Sequence, residues 1–348
     1  MKYRKNNLNP DLNLDRKPVS GVRRWSGLWI LLLLLLAANL LLGSVSLCEV
    51  PSETARYILW HLRLPEVLMA LASGIGLALS GLVMQTLMGN PLADPSVLGV
   101  TTGASLGSGL VMLAGSALGL TAATPAMAAG LHFSAFAAAF LSAVSVTGVL
   151  LLFSRRVENR ATLLLVGVML NFVIGSLIGV LSFYATAEGL RNFVVWGLGS
   201  LGGVSLSLSS CALVVVAVCG LLLTAYAPVL DAFLLGETHV AAVGYGVRTC
   251  RSLLLLCVSL LCALVTSLCG PIAFVGLAVP HLARALCGSH AHRPLIPVVA
   301  LLGAVVMLAC RLLCLLPSIF WQTGILPVNV LTPLFGAPVV LWVLLRRL

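Results

Sequence analysis

The sequence predicts an all-α, polytopic membrane protein of about ten transmembrane helices, with its N-terminus and C-terminus both cytoplasmic. Three observations carry this. The chain is 60% hydrophobic and 9% charged, where soluble domains carry about 25% charged residues. Its charge-free stretches, 25–48, 67–93, 95–154, 161–187, 192–230, 252–283 and 312–345, reach or exceed the ~20 apolar residues that cross a bilayer. Its cations are asymmetric: ten alternating spans from a cytoplasmic start leave only Arg56, Arg63, Arg191 and Arg311 of the 20 lysines and arginines at or near the outer face, as the positive-inside rule requires.

The elements follow in order. Residues 1–24 form a basic cytoplasmic tail too polar to pack, and residues 25–348 form the membrane domain. The first span, 25–47, follows basic residues and ends in small ones, as a cleaved signal does. Its apolar stretch exceeds a signal core and more spans follow, so it is read as retained. Further spans are expected at 64–88, 96–118, 132–153, 161–184, 205–226, 248–269, 272–287, 295–316 and 327–346.

Three connections are expected to be structured. Residues 89–99, GNPLADPSVLG, hold two prolines and two glycines at a span end, which breaks the helix. LRNFVVWGLGSLGG, from Leu190 to Gly203, begins as an amphipathic piece too short to span, an interfacial half-helix. Residues 228–247 read as two short cytoplasmic helices broken at Gly236. In span two, ALASGIGLALSG repeats small residues at helical spacing, which predicts close helix packing.

Composition also excludes classes. The net charge of +10 follows from membrane orientation and implies no nucleic-acid partner. The ten cysteines form no C-x-x-C pair and lie nearly all inside spans, so they pack as small hydrophobes. Lys2, Lys5 and Lys17 are the only lysines, so the chain has no G-x-x-x-x-G-K-[ST] loop and cannot bind ATP phosphates that way. His290 and His292 form an H-x-H pair in a cytoplasmic turn and are expected to be solvated, with no metal and no cofactor. His281 is expected to pack or cap.

Four strings, in this order, resemble one family. They are RLPEVLMALASGIGLALSGLVMQTLMGNPLADPSVLGVTTGASLG from Arg63, TLLLVGVMLN from Thr162 with LRNFVVWGLGSLGG from Leu190, GPIAFVGLAVPHLAR from Gly270, and LPVNVLTPLFGAP from Leu326. The chain from about 57 to 347 resembles the permease subunits of ABC importers for iron-siderophores, haem or vitamin B12.

The resemblance implies a permease in the bacterial cytoplasmic (inner) membrane, working by alternating access. It implies a second permease copy, two cytoplasmic ABC ATPase subunits and a periplasmic or lipoprotein substrate-binding protein. The permease itself is then no enzyme.

Site residues come from the same resemblance. Leu235, Gly236, Glu237 and Gly244 match the helix pair that docks into the ATPase, while Val240 and Ala241 depart from the usual Ala and basic residue. Asn90, Pro91 and Leu92 match a cytoplasmic constriction. Arg63 matches an external docking arginine; Glu66 stands where family members often carry Arg, and Arg191 or Arg311 are possible substitutes.

An ion-coupled secondary transporter is the alternative, but such proteins keep ionisable groups within their spans, and Arg311 is the clearest one here. A membrane enzyme would need clustered carboxylates or a nucleophile with its base, and neither motif is present.

Overall fold

The apolar runs form the long helices, and small residues and prolines decide how those helices pack. The computed structural model describes residues 21–43, 45, 50–119, 125–156, 160–321 and 324–345. The basic tail lies almost entirely outside them. The helices are α1 (Gly21–Leu41), α2 (Ser52–Met88), α3 (Val100–Ala117), α4 (Pro125–Arg156), α5 (Arg160–Tyr184), α6 (Ala187–Gly197), α7 (Leu206–Ala225), α8 (Ala227–Leu234), α9 (Glu237–Ala242), α10 (Val247–Cys269), α11 (Val275–Cys287), α12 (His292–Phe320) and α13 (Val328–Leu345). Among the described residues there is no strand. Seven helices are long and apolar enough to cross a membrane, and α1, α11 and α13 contain shorter apolar helices. Together they account for the ten expected crossings.

The main departure is at the start of α2, which begins at Ser52, well before the expected Leu64. Pro65 has no N–H, so the His61 carbonyl loses its usual partner. The turn widens over Leu59–Arg63 instead of ending, and the Leu64 amide bonds the Leu59 carbonyl five residues back.

α2 is the hub. Its apolar window is 83% buried, against 17% for α5, so α2 lies inside the bundle while α5 presents its surface outward. Small residues allow this. A Cβ added to Gly81 would fall 1.8 Å from the Gly276 carbonyl oxygen of α11, and one added to Gly74 would fall 2.2 Å from the Gly303 carbonyl oxygen of α12. Backbones meet at these points, as close packing in lipid requires.

α11 has 13 residues, about 20 Å of rise, short of the ~30 Å apolar core. The loop before it therefore lies at membrane depth, where its backbone must be satisfied by protein. The Asn329 side chain accepts from the Ala273 amide at 3.1 Å, and Ser200 N donates to the Cys269 carbonyl at 2.8 Å. Phe274 caps α11 with φ +68°, unusual for a bulky residue, and its side chain packs on Gly336 of α13.

Candidate functional site

One end of the bundle carries two arrangements, a pair of short helices with an exposed apolar tip and a polar cluster that joins the pair to neighbouring helices. α8 and α9 are separated by Gly236, whose φ of +108° and ψ of 161° belong to glycine alone. Gly244, at φ +92°, ends the second helix. The tip is apolar and open to solvent: Leu235 is 70% exposed and Val243 55%. Val240 is fully buried and anchors α9, so its departure from the usual small residue changes packing and leaves the outer surface untouched. Glu237 is ion-paired with Arg251 at the start of α10, within the same chain.

The loop after α2 is built as a tight turn. Asn90 is exposed; its Oδ1 accepts from Leu92 N at 2.9 Å and its carbonyl accepts from Ala93 N at 3.1 Å, a local pattern that asparagine favours. Leu92 is 43% exposed. Three side chains hold this loop and the end of α2. His281 Nε2 donates to the Pro91 carbonyl at 2.8 Å. Asn171 of α5 donates to the Val97 carbonyl at 3.1 Å and accepts from Thr102. Arg284 of α11 donates to Gln85 Oε1 at 2.6 Å, and Gln85 donates to the Leu277 carbonyl at 3.2 Å.

The expected solvated His292 is instead 1% exposed. As the first residue of α12, it donates through its backbone N, at 2.8 Å, and through Nδ1, at 2.7 Å, to one oxygen of Asp231 on α8. Its Nε2 lies 2.8 Å from Thr86 Oγ1 on α2. Burial of the ring against the bundle, with a carboxylate and a hydroxyl supplied from other helices, outweighs its hydration in an open turn. His290 is exposed, so the H-x-H pair is split between two environments.

At the opposite end, Arg63 was expected to face outward but is 4% exposed. Its guanidinium donates to the carbonyls of Leu40, at 2.8 Å, and Leu41, at 2.6 Å, and to that of Val45. It thus caps the C-terminus of α1, where orphan carbonyls and the helix dipole favour a cation. Glu66 is ion-paired with Arg311 of α12, and Arg311 also donates to Asn39 Oδ1 at 2.8 Å. Arg191 on α6 is exposed.

Sequence reasoning passed over Asp231, Thr86, Gln85, Asn171 and Arg284. The available signal was polarity out of place: Gln85 and Thr86 interrupt one apolar span, and Asn171 interrupts another.

These features define a polytopic helical membrane protein with a pair of short helices, α8 and α9, joined by hydrogen bonds to the helix that carries the loop after α2. The chain belongs to the FecCD transport family, whose profile matches residues 27–346. It is 36% identical to the vitamin B12 import system permease protein BtuC of Vibrio cholerae over 297 residues, 85% of each chain. It is 34% identical to the hemin transport system permease protein HmuU of Yersinia pestis, covering 92% of this chain and 95% of that one. A solved inward-facing structure of a metal-chelate type ABC transporter superposes with a TM-score of 0.80 at 27% identity, covering 93% of this chain and 99% of that one.

Proposed function

We propose that this chain is the membrane permease of a binding-protein-dependent ABC importer that carries an iron chelate, haem or cobalamin across the bacterial inner membrane. The observation that carries this reading is the α8–α9 pair. It presents Leu235 and Val243 to solvent while Glu237 and Asp231 tie it to membrane helices from within. A projecting apolar tip on rigid stems suits a socket in a separate ATPase and can transmit that partner's closure as a rigid-body displacement.

ATP hydrolysis then belongs to two copies of a cytoplasmic ATPase, and the outward surface of α5 suits a second copy of this permease. Asn90, Pro91 and Leu92 form the inner constriction, an apolar side chain on a hydrogen-bonded turn that closes the path by excluding water. A periplasmic or lipoprotein binding protein docks on the outer face. There Arg191 offers an accessible cation, while Arg63 and Glu66 shape the surface from beneath by fixing α1, α2 and α12.

The test is uptake into vesicles carrying this chain, its ATPase and its binding protein, with ferric siderophore, haem and cobalamin compared. ATP-dependent accumulation of one chelate requiring all three proteins supports the proposal. Accumulation driven by an ion gradient without the ATPase overturns it in favour of a secondary transporter.

A further inference from the structure

Resting on the reading of α8–α9 as the ATPase-docking element, we infer that Asp231, His292 and Thr86 form the positioning relay that transmits movement of that element to the helix bearing the inner constriction. The three side chains come from three separate helices. Asp231 is on α8, inside the docking element; His292 opens α12; Thr86 lies in the last turn of α2, four residues before Asn90.

The contacts leave little slack. A single Asp231 oxygen accepts both from the His292 amide and from Nδ1, at 2.8 and 2.7 Å, so α8 grips both the backbone and the side chain of the first residue of α12. A carboxylate can only accept, which fixes Nδ1 as the protonated nitrogen facing it. Nε2 is then directed to Thr86 Oγ1 at 2.8 Å, and Thr86 Oγ1 also lies 2.9 Å from the Leu82 carbonyl of its own helix. His292 is 1% and Thr86 1% exposed, so water does not compete for the His292–Thr86 contact, while the Asp231 carboxylate is partly open to solvent.

Displacing α8 alone would leave the His292 amide and Nδ1 without their carboxylate, which is costly for a buried group. Displacing α8, the head of α12 and the foot of α2 together keeps all three groups of the relay paired. The foot of α2 in turn carries the loop, held also by Gln85 on Arg284 and by Pro91 on His281. A pull on the tip is thereby converted into a shift of Asn90, Pro91 and Leu92. The Glu237–Arg251 pair ties the same element to α10, whereas the relay is a hydrogen-bonded route from it to α2.

The test separates coupling from assembly. The complete complex is reconstituted in liposomes with whichever of ferric siderophore, haem or cobalamin the wild type accumulates, and chelate accumulated per ATP hydrolysed is measured. Thr86→Val removes the hydroxyl at nearly constant shape, Thr86→Ser keeps it, and His292→Phe removes both ring nitrogens. Thr86→Val and His292→Phe are expected to retain ATP hydrolysis within about twofold while transport per ATP falls about tenfold, and Thr86→Ser to restore the ratio. An unchanged ratio in Thr86→Val, or hydrolysis and uptake falling together at constant ratio, overturns the inference; Thr86→Val decides the matter if His292→Phe does not assemble. A wild-type complex without ATP-dependent uptake would instead sink the docking assignment beneath it.

Discussion

Glu237 and Arg251 are joined by an ion pair that fastens the short cytoplasmic helix α9 to the first turn of a membrane span, with the Arg251 side chain 5% exposed and Glu237 24%. Their carboxylate and guanidinium meet inside one chain, so the conspicuous acid of this segment stiffens it. On the proposed docking role, partner contact falls to the apolar tip.

Glu237→Ala should therefore act through rigidity. Leaving a buried guanidinium without this carboxylate costs about 1–3 kcal/mol, lowers the melting temperature and reduces ATP-driven uptake. Leu235→Asp should leave the melting temperature of the isolated permease unchanged and weaken co-purification of the ATPase at least tenfold. Thermal unfolding and pull-down distinguish the two.

Gly81→Ala should be strongly destabilising, because its Cβ would lie 1.8 Å from a backbone oxygen of α11. Overpacking of this kind costs about 1–3 kcal/mol. Gly175→Ala, with nothing within 4 Å of the added carbon, should not destabilise the single chain and should favour its helix slightly. Equal melting temperatures for the two variants would contradict the packing described for α2.

At the outer end, the Glu66–Arg311 pair calls for a double-mutant cycle. Arg311→Met leaves Glu66 and Asn39 without their shared donor and should lower stability by about 3 kcal/mol. Adding Glu66→Met should recover much of that loss, since replacing both partners of a buried pair is far milder than removing one. Strictly additive effects would show that the pair contributes nothing.

Leu92→Ala should raise ATP-independent leakage of the chelate from loaded vesicles several-fold if Leu92 closes the path by excluding water. Asn90→Ala should do the same more weakly, by releasing the turn in which its side chain holds the Leu92 amide. Leakage equal to wild type in both would remove these residues from the constriction.

Much of the fold was legible because bilayer crossing depends on composition over a window, which any linear reading can measure. The amphipathic α6 and the Gly236 break were legible for a related reason, since each depends on a few consecutive residues. The early start of α2 was not. A proline normally argues for a boundary, and only the widened turn at Leu59–Arg63, whose Arg63 is held by the carbonyls at the end of α1, lets the helix run through it.

The sequence by itself determined the membrane class, the approximate number of apolar helices and the family, since these follow from hydrophobic length and ordered motifs. Only the tertiary structure decided which polar groups meet. Arg63 looks like an accessible cation until the carbonyls of α1 are brought over it, and His292 looks solvated until Asp231 and Thr86 arrive from two other helices. The physical reason is that burial and hydrogen-bond partners are properties of packed helices in space, and residues hundreds of positions apart in sequence become neighbours there.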